Sequence, residues 1–124
     1  MIARPILAAA ALALLPGPAM AQAGGENWRE IHTQGNIIFS IDMNSIKTVD
    51  GLRRFRVRAV QTDAAKTGYF DNAANCAAKT VDTLYAEISG TDGSMRKQAF
   101  KPGESRNSLD DDEGKLVYSI VCGQ

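Results

Sequence analysis

Residues 37–60 constrain the fold of this chain more than any other stretch. They read IIFSIDMNSIKTVDGLRRFRVRAV, with apolar side chains recurring at every second position before and after Asp50-Gly51. An alternation with period two predicts β-strands that bury one face. Asp-Gly favours a type I′ hairpin turn, because both central residues of that turn need a positive φ. The stretch therefore predicts antiparallel strands at the centre of a sheet.

The second strand of this stretch carries an arginine at every other position. We call these three residues the arginine ladder: Arg54, Arg56 and Arg58. Phe55 and Val57 alternate with them and predict that the ladder faces outward. We consider two interpretations. The ladder is a binding face for an acidic protein or glycan, or it is a solvated face paired with acids on neighbouring strands, such as Asp42 or Glu87. Such cross-strand pairs contribute only ~0.2–1 kcal/mol each.

The first strand of the stretch ends at Asp42, and Ser45 follows three residues later. Short Asp and Ser side chains bind nearby backbone amides, which predicts a tight turn or a single helical turn. An Asp and a Ser at this spacing could also suggest catalysis, but no histidine or lysine is placed to act as the base. We therefore interpret the corner as turn chemistry.

The beginning of the chain has the pattern of a secretory signal. Arg4 precedes an apolar run over residues 6–15, and Ala19 and Ala21 provide the small residues that a cleavage site needs. Residues 1–21 are therefore predicted to be a cleaved signal peptide. A membrane anchor is the alternative, but about 10 apolar residues fall short of the ~20 needed to span a bilayer.

Cleavage of the predicted signal peptide would leave a short mature chain outside the cytoplasm. Residues 22–27 are predicted to be a flexible lead and residues 28–124 one small domain, located in the periplasm or secreted. Without Arg4 the chain has 13 basic and 14 acidic side chains. Nucleic-acid-binding domains usually have a clear basic excess, so no nucleic-acid partner is expected.

Cys76 and Cys122 are the two cysteines of the chain. In an oxidising compartment they predict one disulfide. In the chain-entropy model, a disulfide that closes the loop between residues 76 and 122 stabilises the folded state by roughly 4 kcal/mol. A reactive thiol is the alternative, but neither cysteine has a neighbouring base or a CxxC arrangement.

The other segments predict further strands and one long connection. Residues 28–32 alternate apolar and polar side chains as a first strand does, and they contain the single histidine, His32, interpreted as an ordinary strand residue. Residues 62–75 are polar and rich in alanine, which predicts a long loop that is functional or mobile. A hairpin is predicted over 80–88 and 94–100, around a second Asp-Gly turn.

The last segment changes from strand to helix periodicity. Five apolar residues fall on one helix face: Leu109, Leu116, Val117, Ile120 and Val121. Ser108 is a candidate N-cap, and the acids at 110–113 suit the positive end of the helix dipole. Calcium binding is the alternative reading of these acids, but it needs ligands at alternating loop positions around a glycine-bent turn. Gly114 weakens the helix, so a start nearer Lys115 is also considered.

The sequence provides no catalytic constellation. Acid–base catalysis needs positioned titrating groups, and the chain offers one histidine and scattered carboxylates. Dinucleotide-binding, phosphate-loop and nucleophile-elbow motifs are absent from the sequence. We therefore expect a protein that is not an enzyme and has neither cofactor nor metal.

Several of these features together resemble the surface-adhesin protein E-like family of Gram-negative bacteria. They are Trp28, the segment Ile41-Asp42-x-x-Ser45-Ile46, the charged strand 53–60, and the widely spaced Cys76 and Cys122. The resemblance implies an α+β fold: an antiparallel sheet of about six strands, built as a hairpin meander. A C-terminal helix packs on the sheet and is tethered by the cysteine pair.

The resemblance also implies a function. Founding members of that family are surface lipoproteins that bind host matrix and plasma proteins and can form dimers. This chain differs in having no cysteine directly after the predicted cleavage site, where a lipid would be attached, and Phe55 replaces the family's strand tryptophan. The expected function is a non-enzymatic exported binding module. The alternative is a periplasmic structural or accessory protein that acts by association with itself or with a partner and has no host ligand.

Overall fold

The computed structural model describes residues 25–123. The predicted signal peptide and the first residues of the predicted lead lie outside this range. The strands are β1 (Trp28–Gln34), β2 (Ile37–Asp42), β3 (Lys47–Val49), β4 (Leu52–Gln61), β5 (Lys66–Asn75), β6 (Thr80–Ser89), β7 (Met95–Ala99) and β8 (Arg106–Ser108). A 3-10 helix spans Met43–Ser45, and the α-helix α1 spans Asp112–Val121.

The strands form one antiparallel sheet in the order β1-β2-β4-β5-β6-β7. Two short strands lie off this path, with β3 paired to β4 and β8 paired to β6. The sheet curls into a half-barrel, and a disulfide joins Cys76 to Cys122 across a sequence separation of 46. The predicted antiparallel sheet, C-terminal helix and disulfide are confirmed, with six strands on the main path and two short additions.

The central hairpin forms as its sequence predicts. Asp50 and Gly51 have φ angles of 52° and 81°, both positive, as a type I′ turn requires. The turn fixes the register of β3 on β4, and β2 pairs further along the same edge of β4, with Ile41 opposite Val57. The other edge of β4 is paired with β5. Ile41 and Phe55 are buried in the core, so the apolar face of this stretch points inward.

The predicted loop over 62–75 is wrong, because most of it is the central strand β5. Only residues 62–65 connect β4 to β5, and Ala65 takes a positive φ of 47° there. From Lys66 onward β5 pairs with β4 on one side and with β6 on the other. Its alanines and asparagines are poor strand formers. Ala74 nevertheless lies fully buried in the core, so tertiary packing outweighs local preference.

The helix packs on the inner face of the sheet. The core consists of six buried residues: Ile41, Phe55, Ala74, Leu109, Ile120 and Val121. The predicted N-cap at Ser108 is wrong, since Ser108 ends β8 and Asp111 caps α1 by accepting a hydrogen bond from the Gly114 amide at 2.6 Å. Because α1 begins at Asp112, Leu109 lies before the helix, where its side chain packs in the core.

The carboxyl end of α1 is fastened to the sheet by more than the disulfide. Arg53 Nε donates a hydrogen bond to the Val121 carbonyl at 2.7 Å, and Arg53 Nη1 donates to Thr48 Oγ1 at 2.8 Å. A cation at this position also offsets the negative end of the helix dipole. Arg53 therefore joins the end of α1 to the β3–β4 hairpin. Within residues 25–123, no helix has the length and apolar character needed to cross a membrane.

Candidate functional site

The register of the sheet places the arginine ladder on the outer face, opposite the core. Arg58 lies between Ser40 on β2 and Tyr69 on β5, and Arg56 lies opposite Asp71. Phe55 is 4% exposed on the other face of β4. The orientation predicted from the period-two pattern is therefore confirmed.

Two aromatic rings contact two of the three ladder arginines. Arg58 Cζ lies 4.4 Å from the centroid of the Trp28 ring, and Arg56 Cζ lies 4.7 Å from that of Tyr69. The rings are themselves 6.0 Å apart between centroids and tilted by 51°. Each cation–π contact contributes about 0.5–1 kcal/mol at a site that solvent reaches. We call Trp28, Tyr69 and the arginine ladder the cation–aromatic face.

The acids near this face neutralise the ladder only in part. Arg56 Nε lies 3.7 Å from Asp71 Oδ1, which is too long for a hydrogen bond. The carboxylate of Asp42 instead accepts hydrogen bonds from the backbone amides of Asn27 and Asn44, at 2.9 and 3.0 Å. Among the described residues, neither Asp42 nor Glu87 forms an ion pair with the ladder. The prediction that Asp42 or Glu87 pairs with the ladder is therefore wrong, and Asp71 is the acid that lies beside Arg56.

The guanidinium groups keep unused donors. The Nε atom of each ladder arginine is buried and has no hydrogen-bond acceptor within residues 25–123. A buried donor without a partner costs free energy, and more so when it belongs to a charged group. Each guanidinium also carries four terminal N–H donors besides Nε, and these groups give the face the chemistry to bind oxyanions.

A second candidate surface is a cleft on the inner face, between the sheet and the beginning of α1. Its volume is about 710 Å³, within the range of small-molecule sites. Aromatic and aliphatic side chains dominate the part that the sheet contributes: Phe39, Phe55, Val57 and Phe70. Asp111 and Glu113 lie where the helix begins, and Asp111 is already used as the helix cap.

The polar groups of this cleft are largely satisfied by the protein. Asn72, 6% exposed, lies where β6 has one extra residue, Leu84, and it accepts a hydrogen bond from Thr83 Oγ1 at 2.8 Å. Its amide also donates to the Phe70 carbonyl at 3.3 Å. His32 stacks on Phe39, and its Nε2 lies 4.0 Å from Glu113 Oε1. The cleft thus offers apolar contact area and few free polar groups, whereas the outer face offers unpaired charge.

The described part of the chain contains no cluster of three or more His, Cys, Asp or Glu side chains able to hold a metal ion. The acids at 110–113 lie around the helix start. Asp111 caps α1, Asp112 and Glu113 lie in its first turn, and Asp110 accepts a hydrogen bond from the Ser108 hydroxyl.

Sequence reasoning identified the ladder but missed the residues around it. Tyr69 falls in the predicted loop over 62–75, and the sequence gives no sign that Trp28, in the predicted first strand, contacts the ladder. Lys47 was missed too, although the two-residue turn already implied its position. Val49 pairs with Leu52, so Lys47 must lie opposite Arg54.

Comparison of the chain with protein-family models, with curated proteins and with solved structures found no match. The resemblance to the surface-adhesin protein E-like family therefore stays a prediction from the sequence.

Proposed function

We propose that this chain is a non-enzymatic, exported binding module that holds an acidic protein or glycan on its cation–aromatic face. One observation carries the proposal: three neighbouring guanidinium groups lie on one face of β4, and their Nε donors have no hydrogen-bond acceptor within residues 25–123. The acid nearest to them in the described residues, Asp71, lies 3.7 Å from Arg56. A host matrix or plasma protein, the ligand class implied by the resemblance, is one source of such an acidic surface.

The aromatic rings make the ladder a better binding surface than free arginines would be. An arginine side chain loses up to ~2 kcal/mol of rotamer entropy when it is immobilised. Stacking of Arg58 on Trp28 and of Arg56 on Tyr69 restricts these side chains before any ligand arrives. Binding by groups that are already ordered costs less free energy.

Replacing the three ladder arginines with serine tests the proposal, with binding to heparin and to a purified matrix protein as the readouts. The matched control replaces three exposed cations away from the ladder: Arg29, Arg96 and Lys101. Both variants lose the same net charge. Trp28 is the only tryptophan, so its fluorescence reports binding at the face directly. We expect the ladder variant alone to lose binding; equal loss in both variants, or in neither, would refute the proposal.

An exposed sheet edge favours the second candidate function, association with another copy or with a partner. Strand β7 ends the sheet order, all five of its residues are exposed, and Met95 is 55% exposed. An uncovered edge strand offers backbone groups to which another strand can pair. Sedimentation equilibrium distinguishes this role, because an edge-mediated dimer depends on protein concentration and weakens when Met95 is replaced by lysine.

A further inference from the structure

A small recess on the outer face collects positive charge from two strands. It lies beside the 3-10 helix and has a volume of about 290 Å³. Three cationic side chains and one carboxylate line it, together with the helix and Phe55: Lys47, Arg54, Arg56 and Asp71. The recess therefore has a net positive charge in the absence of a ligand.

The arrangement of these cations is unfavourable for the protein alone. Lys47 on β3 lies directly opposite Arg54 on β4, and like charges at directly opposed positions destabilise a sheet. Arg56 follows on the same face of β4, about 7 Å further along the strand. Within residues 25–123, no carboxylate forms an ion pair with Lys47 or Arg54.

The donors of the recess suit a tetrahedral oxyanion better than a carboxylate. Arg54, Arg56 and Lys47 line the same recess, so two guanidinium groups and one ammonium group can donate into it. A planar carboxylate is matched by the fork of one arginine. A sulfate or phosphate group presents oxygens in several directions, so it can engage two arginines and a lysine together.

We infer that this recess is a subsite for a tetrahedral oxyanion group, such as the sulfate of an acidic glycan. The inference rests on the proposed function and makes it more specific. The glycan contacts the whole cation–aromatic face, and one of its sulfate groups is held between Lys47, Arg54 and Arg56. Arg58, which stacks on Trp28 and does not line the recess, contacts another part of the ligand.

The test uses inorganic sulfate first, because a free ion reports on the subsite without the polymer. Signals of arginine Nε–H groups are followed by ¹⁵N-edited NMR while sodium sulfate replaces sodium chloride at constant ionic strength. We expect saturable shifts at Arg54 and Arg56, and none at the exposed Arg96. Inorganic phosphate should give the same pattern. Shifts that chloride reproduces would mean screening alone and would overturn the subsite.

Variants link the shifts to the named residues. Loss of one charge-assisted hydrogen bond should weaken sulfate binding about tenfold or more in Lys47→Gln and in Arg54→Gln. Arg96→Gln is the matched control and should bind as the unmodified protein does. Lys47 is exposed, so Lys47→Gln keeps the test valid if Arg54→Gln fails to fold. Unchanged sulfate affinity in Lys47→Gln would overturn the assignment.

A polymer experiment separates failure of the subsite from failure of the proposed function. Heparin carries sulfates, whereas hyaluronan carries only carboxylates. Heparin binding that exceeds hyaluronan binding and falls in Lys47→Gln supports both proposals. Equal binding of the two polymers keeps the proposed function and overturns the subsite. Saturable sulfate binding without any polymer binding keeps the subsite and refutes the glycan-binding function. A phosphopeptide that binds more tightly than heparin overturns the assignment to a glycan.

Discussion

Reversing the charge of Lys47 should stabilise the protein, because the native lysine repels a neighbouring arginine. Lys47 lies directly opposite Arg54 in the β3–β4 ladder. In Lys47→Glu the repulsive pair becomes an attractive one. Lysine and glutamate are both poor strand formers, so the change in charge dominates.

The size of this effect follows from measured cross-strand pairs. Directly opposed pairs contribute about 0.2–1 kcal/mol. For a domain of about 100 residues this corresponds to a rise in Tm of about 1 to 8 °C. The gain should be largest near 10 mM salt, where the Debye length is about 30 Å, and should decrease toward 1 M, where it is about 3 Å.

Thermal unfolding followed by circular dichroism at these two salt concentrations measures the effect. The chain offers a control of opposite sign: Lys97 on β7 lies directly opposite Glu87 on β6, and it is also exposed. Lys97→Glu creates a like-charge pair and should lower Tm. If Lys47→Glu lowered Tm at low salt, or if both variants shifted Tm in the same direction, the repulsion inferred at the recess would be refuted.

Two further predictions concern the framework of the fold. The pKa of Asp82 is lowered because Arg106 donates hydrogen bonds to its carboxylate at 2.7 and 3.0 Å. The pair therefore stabilises the fold above the unfolded pKa of about 3.9. This contribution is lost as the pH falls through the folded pKa. Asp82→Asn should lower Tm at pH 7, and the Tm difference should shrink as the pH falls below 4; a Tm difference independent of pH would contradict this account. Gly114→Ala should destabilise by about 1–3 kcal/mol in urea unfolding, even though alanine is the better helix former, because a Cβ there would lie 2.7 Å from Leu109 Cα; a stabilised variant would show that α1 can shift away from Leu109.

The parts of the fold predicted correctly are those in which local signals agree with tertiary packing. The Asp50-Gly51 turn requires a backbone that these residues adopt easily, and period-two alternation then directs Phe55 inward and the ladder outward. The disulfide followed from the presence of two cysteines and the predicted export. These inferences depend on the chemistry of short segments, which a single sequence displays.

The parts predicted incorrectly depend on contacts between residues that are far apart in the sequence. Ala74 on β5 packs in the core with Ile120 and Val121 of α1. An alanine that packs against a helix far along the chain has a low strand propensity, so in the sequence it is indistinguishable from a loop residue. The helix start was displaced for a related reason: Leu109 fits the helical period, but the core takes it before the helix begins at Asp112. The rings of the candidate site were missed because Tyr69 lies on this unrecognised strand.

The position of the disulfide along the chain affects the order of events during synthesis. Cys76 directly follows β5, and Cys122 comes 46 positions later. Strands β6, β7 and β8 and the helix α1 all lie between the two cysteines. Because a chain emerges from its amino end, the Cys76 thiol must wait without its partner until all of these have been made. Until then the strands before Cys76 can pair only through hydrogen bonds and side-chain packing, so the disulfide contributes nothing to any pairing that occurs before residue 122 is made.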